Sequence, residues 1–147
     1  MLREYRGTVK VLFDGAEQGW TISVVEDSDR EIEDLTLIGP GGAEWSGSGG
    51  NAWDSLCDLR RHFEGAGGRI CCNGSRTNAW VSSMAISMAD GAVVYLTRKG
   101  WPARSKDLVE IFAYAPPNTI GSLEEQERFH EEWLRTPRRW WRRMLRL

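Results

Sequence analysis

The feature that most constrains this chain is period-two alternation, which recurs three times within the first 38 residues. Thr8-Val9-Lys10-Val11-Leu12-Phe13 alternates and stops at the turn pair Asp14-Gly15. Trp20-Thr21-Ile22-Ser23-Val24-Val25 follows after a short hairpin loop. Leu35-Thr36-Leu37-Ile38 starts a third run, stopped by Gly39-Pro40-Gly41-Gly42. Alternation of this kind marks half-buried strands, and three strands with short links predict an antiparallel meander.

A helix follows. Asn51 is a natural N-cap, and Asp54 at the third helical position complements the free N–H groups. Trp53, Leu56, Cys57, Leu59 and Phe63 form an apolar stripe, with Asp58, Arg60 and Arg61 expected to face water and Gly65–Gly68 ending the helix. Arg69-Ile70-Cys71-Cys72 reads as a short strand. Residues 78–90 read as a short helix or ordered loop carrying Trp80, Met84, Ile86 and Met88. Val93-Val94-Tyr95-Leu96 and Val109–Ala113 read as the last strands. Pro116-Pro117 breaks the chain, and Ser122-Leu123-Glu124-Glu125 is a capping box opening a helix that Pro137 ends or kinks. The fold class is therefore α+β: a mainly antiparallel sheet, one packed helix and a C-terminal helix. Residues 1–115 are expected to form the core, with the helix and basic tail of 118–147 packed on the same single domain. Trp53, Leu56, Phe63, Val94 and Leu96 are the expected buried set.

Charge is unevenly placed. Net charge is −2, but Glu26–Asp34 holds six acids against Arg30, while Arg135–Leu147 holds six arginines and no acid. An acidic body argues against nucleic acid as partner. No apolar run approaches the roughly 18–20 residues of a membrane span, and charge follows Met1-Leu2 at once, so the reading is a cytoplasmic chain without stable membrane insertion.

Chemistry-bearing patterns are few. Gly47-Ser48-Gly49-Gly50-Asn51-Ala52 fits G-x-G-x-x-A, but the preceding residues make a poor central strand and no acid follows Ile70-Cys71-Cys72 to hold a ribose. The segment reads instead as a flexible turn feeding the helix. Cys57, Cys71 and Cys72 lack C-x-x-C spacing and read as buried free thiols, and His62 and His130 lack metal-ligand spacing. The expectation is no enzyme, no cofactor and no metal. Within Gly74–Met84, Ser and Asn cap a turn and a helix, or Arg76, Asn78 and Trp80 form a recognition ledge at the sheet edge. The tail groups Trp140, Trp141, Met144 and Leu145 on one side of a helix with arginines around them. It is open to three readings: packing on the acidic segment, holding a partner, or touching a membrane surface.

Trp53-Asp54-Ser55-Leu56, Leu59-Arg60, Cys72-Asn73-Gly74-Ser75-Arg76, Ala79-Trp80, Ser83-Met84, Met88, Gly91 and Tyr95-Leu96 resemble a group of small bacterial proteins, uncharacterised or assigned to toxin immunity. This stretch, Trp53–Gly100, covers about a third of the chain. The resemblance implies an immunity protein of a polymorphic toxin system of the Rhs or contact-dependent kind. Such a protein binds one cognate toxin domain and occludes its active site; a nucleotide-using toxin such as an ADP-ribosyltransferase is one candidate. An acidic surface of Asp27, Asp29, Glu31, Glu33 and Asp34 would then meet a basic toxin face, with Trp45 or Trp80 as aromatic anchor. The competing class is a non-enzymatic adaptor using its Arg/Trp tail to contact a membrane surface or protein partner.

Overall fold

A computed structural model of the chain describes residues 1–137. Strands β1 (Leu2–Phe13), β2 (Ala16–Asp27), β3 (Ile32–Ile38) and β4 (Glu44–Gly49) form an antiparallel meander, and β5 (Arg69–Ile70) joins beside β1. The order is β4-β3-β2-β1-β5. Helix α1 (Ala52–Gly65) packs on this sheet. A second antiparallel sheet of order β6-β7-β8 holds β6 (Ala79–Trp80), β7 (Val93–Leu96) and β8 (Leu108–Glu110), with α2 (Ser83–Ala89) between β6 and β7. Helix α3 (Leu123–Arg135) follows. The α+β class holds, but the strands divide between two sheets.

Register explains which face is buried. Cross-strand partners share a face, so Val9, Trp20, Ile22, Val24, Leu35 and Leu37 all turn toward α1. Phe13, Trp20, Trp45 and Phe63 cluster at one end of that layer, with ring centroids 5.1–5.8 Å apart. Such aromatic pairs add about 0.5–1.5 kcal/mol beyond their buried area.

The glycine-rich segment departs from its sequence reading: residues 44–49 are strand β4, not a turn. A Cβ on Gly47 would stand 2.5 Å from the Ser55 carbonyl oxygen and closer still to the Leu59 nitrogen. One on Gly49 would stand 2.7 Å from Asp54 Cβ. These glycines let α1 lie against the strand backbone.

Helix α1 begins as expected, with Asn51 Oδ1 accepting from the Asp54 N–H at 2.9 Å. Arg60 corrects the helix-face reading, since it is 1 % exposed. Its Nε donates to Glu64 at 2.7 Å, its Nη1 to Gln126 Oε1 at 2.7 Å and its Nη2 to the Gly121 carbonyl at 2.8 Å. Gln126 in turn donates to the carbonyls of Gly74 and Arg76 at 2.8 and 2.9 Å. This network fastens α3 to α1, and every donor nitrogen in it meets an acceptor, as burial requires. The capping box at Ser122 is formed, and α3 ends before Pro137.

Three smaller corrections follow from packing. The third strand starts at Ile32, three residues inside the acidic run, because β2 continues to Asp27 and pairs with it. The last strand stops at Glu110, as Ile111 turns into the core. Leu96 is half-buried, whereas Trp53, Leu56, Phe63 and Val94 are buried.

Candidate partner-binding surface

The acidic run is a hairpin tip rather than a loop, and alternation sorts its side chains. Glu26 pairs with Glu33, and both lie in phase with Leu35 and Leu37 on the face that meets α1. Asp34 points to the other face and hydrogen-bonds the Ser48 hydroxyl across β4. Asp27 Oδ1 accepts from the N–H groups of Asp29 and Arg30, closing the turn, and Glu31 completes it at φ 53°. Asp29 forms an ion pair with the Met1 amine at 2.8 Å, both groups well exposed.

Asp90 joins this corner from a distant part of the sequence. It caps α2 in the left-handed conformation, and its carbonyl accepts from the Ala52 N–H at 2.8 Å, holding the start of α1 beside it. A cavity of about 320 Å³ is lined by Glu26, Asp27, Glu31, Glu33 and Asp90, with Ser28, Ile32 and Gly50 completing the wall. Glu33 is 6 % exposed. Its burial, with Glu26 and Asp90 nearby, raises its carboxyl to about 7.

The other sequence candidates sit elsewhere, and most are engaged within the fold. Trp45 belongs to the aromatic cluster on Phe63. The Asn78 amide donates to the Thr97 carbonyl at 3.0 Å while the Thr97 hydroxyl donates back to the Asn78 carbonyl, so Asn78 clamps β6 to β7. Arg76 is half-buried, and its Nε is buried without a hydrogen-bond partner among the described residues. Trp80 stacks on His130 at 3.9 Å between ring centroids and meets Trp53 edge-on at 5.4 Å. With Tyr95, Thr97 and Trp133 it lines a cleft of about 400 Å³ between the small sheet and α3. The structure thus joins Asp27, Asp29, Glu31 and Glu33 at one corner and keeps Trp45 and the Arg76–Trp80 segment apart from it.

Two exposed apolar residues stand outside the site that the sequence suggested. Met84 and Met88 on α2 are 64 % and 81 % exposed, and Met88 lies two residues before Asp90. Their spacing of four, which puts both on one side of a short helix, was the signal the sequence offered.

The three thiols are ill placed for chemistry. Burial pushes Cys57 and Cys71 up to about 11 and raises Cys72 as well, so thiolate is scarce at neutral pH. Among the described residues no group of three or more His, Cys, Asp or Glu is placed to hold a metal ion. Nor is any helix among them long and apolar enough to cross a membrane. The tail residues Trp140, Trp141, Met144 and Leu145 lie outside the described residues. No known family model matches the chain, and no curated protein matches it either.

Proposed function

We propose that this chain is a binding protein that neutralises a cognate bacterial toxin domain by covering its active site, docking through the acidic corner. The observation that carries this reading is the convergence of Asp27, Asp29, Glu31, Glu33, Glu26 and Asp90 at one corner. A dense acidic patch steers a basic partner and sets register, while exposed apolar side chains supply the anchor. Met84 and Met88 suit that second part, because methionine adapts to an opposing surface. Trp45 and Trp80 are tied into the fold and support it instead. The high-pKa thiols favour binding over nucleophilic chemistry.

Co-expression with the C-terminal domain of any large toxin gene found immediately upstream tests the proposal. The expected result is a stable complex and restored growth of cells making the toxin. Growth arrest without a complex would refute it.

A further inference from the structure

The acidic corner contains a group that its own fold leaves without a counterpart. Glu33 is nine-tenths buried, yet its carboxylate has neither a hydrogen bond nor an ion pair among the described residues. Its backbone is well anchored, since the Glu33 carbonyl accepts from the buried Ser55 hydroxyl at 2.7 Å. The charged groups around the side chain are acidic: Glu26 across the hairpin, Asp90 at the end of α2, and Asp27 and Glu31 in the turn. Arg3 stands opposite Glu26 on β1 but forms no ion pair among the described residues. A buried carboxylate among carboxylates costs stability unless something cationic meets it.

The shape of the corner narrows what that cation is. The carboxylates ring an open cavity rather than converging on a point, and no metal-binding group exists among the described residues. A guanidinium suits this arrangement: it is planar, weakly hydrated, and presents five donors that reach separate carboxylates at once. Its apolar stem would lie along Ile32 and the small residues Ser28 and Gly50.

Building on the partner-binding reading, we propose that this cavity is a socket for an arginine side chain of the protein partner, with Glu33, Glu26 and Asp90 receiving the guanidinium. Glu33 is the floor of the socket, and Asp27 and Glu31 form its rim.

The socket is testable without the partner. The isotope-labelled full chain is titrated with N-acetyl-L-argininamide while side-chain carboxyl resonances are followed. The expected result is saturable binding in about the millimolar range, with the largest shifts at Glu33, Glu26 and Asp90. Glu33→Gln should weaken it roughly tenfold, the loss of one charge-assisted contact. Asp90→Asn should act in the same direction, and Glu131→Gln, an exposed acid on α3, should change nothing. The Glu33→Gln chain should keep its dispersed spectrum because the exchange removes a buried charge. Shifts that never saturate, equal shifts with the uncharged citrulline analogue, or equal affinity in the Glu33→Gln and Glu131→Gln chains would overturn the socket. Arginine binding without toxin capture would sink the functional reading alone. Undiminished toxin capture by Glu33→Gln, without arginine binding, would sink the socket alone.

Discussion

Arg60 donates to Gln126 Oε1 at 2.7 Å across 66 residues of sequence, and neither side chain reaches the surface. The pair joins α1 to α3, with Glu64 serving both ends: one oxygen takes Arg60 Nε and the other accepts from the Leu123 N–H at 3.0 Å. Removing the guanidinium leaves one Glu64 oxygen, Gln126 Oε1 and the Gly121 carbonyl unpaired in the interior. Arg60→Ala should therefore cost about 3–5 kcal/mol. Arg61→Ala, one residue on but exposed, should cost under about 0.5 kcal/mol. Urea melts of both variants check the contrast, and equal losses would show that the network is not what fastens α3.

Gly47 offers a test of the close approach between α1 and β4. Any side chain there enters the backbone of Ser55 and Leu59, which cannot yield as a flexible side chain would. Gly47→Ala should destabilise by about 2–3 kcal/mol. Ser48→Ala, exposed on the outer face, should cost under about 1 kcal/mol for its lost bond to Asp34. A neutral Gly47→Ala in denaturant titrations would mean that helix and strand stand farther apart.

Glu33 sets a pH signature. Its folded-state carboxyl lies at about 7 against an ordinary 4.5, so the native chain holds the proton longer than the unfolded chain. Stability from this group is fully present below 4.5, falls as pH rises toward 7, and levels off above it. The total is at most about 3 kcal/mol, and less where water reaches the carboxylate. The charges facing it are Glu26 from β2, Asp90 from the end of α2, Asp27 and Glu31 from the turn, and Arg3 opposite Glu26 on β1. Urea midpoints of the wild-type chain should fall between pH 5 and 8, and Glu33→Gln should flatten that slope. An unchanged slope in the variant would assign the effect elsewhere.

Binding kinetics separate the acidic corner from the side chains proposed or excluded as anchors. Reversing Asp29 and Glu31 to Lys should slow association with a basic partner and weaken its salt dependence, because exposed rim charges act mainly on encounter. Met88→Ala should instead speed dissociation, by roughly tenfold if it contributes an anchor of about 1.4 kcal/mol. Trp80→Ala should lower thermal stability before it touches affinity, since Trp80 stacks on His130 and meets Trp53 edge-on. Association unchanged by the double reversal would remove the hairpin tip from the interface.

Local patterns in the sequence were enough for the first three strands of the meander, the caps at Asn51 and Ser122 and the apolar stripe of α1, because alternation, capping and helical spacing act over a few residues. Glu33 was half legible: its phase with Leu35 and Leu37 places it on the core face once the acidic run is recognised as strand. Its high charge density disguised that, since such runs usually mark solvated loops. What tertiary structure alone decided is where distant segments meet. Arg60 looks like a solvent-facing residue until Gln126 and Gly121 arrive from α3 to receive it. Gly47 and Gly49 look like a turn until α1 needs their missing side chains. Asp90 becomes part of the acidic corner only because its carbonyl holds the start of α1, 38 residues earlier, beside the end of α2. Each of these depends on burial and partners contributed from far along the chain, which no local window contains.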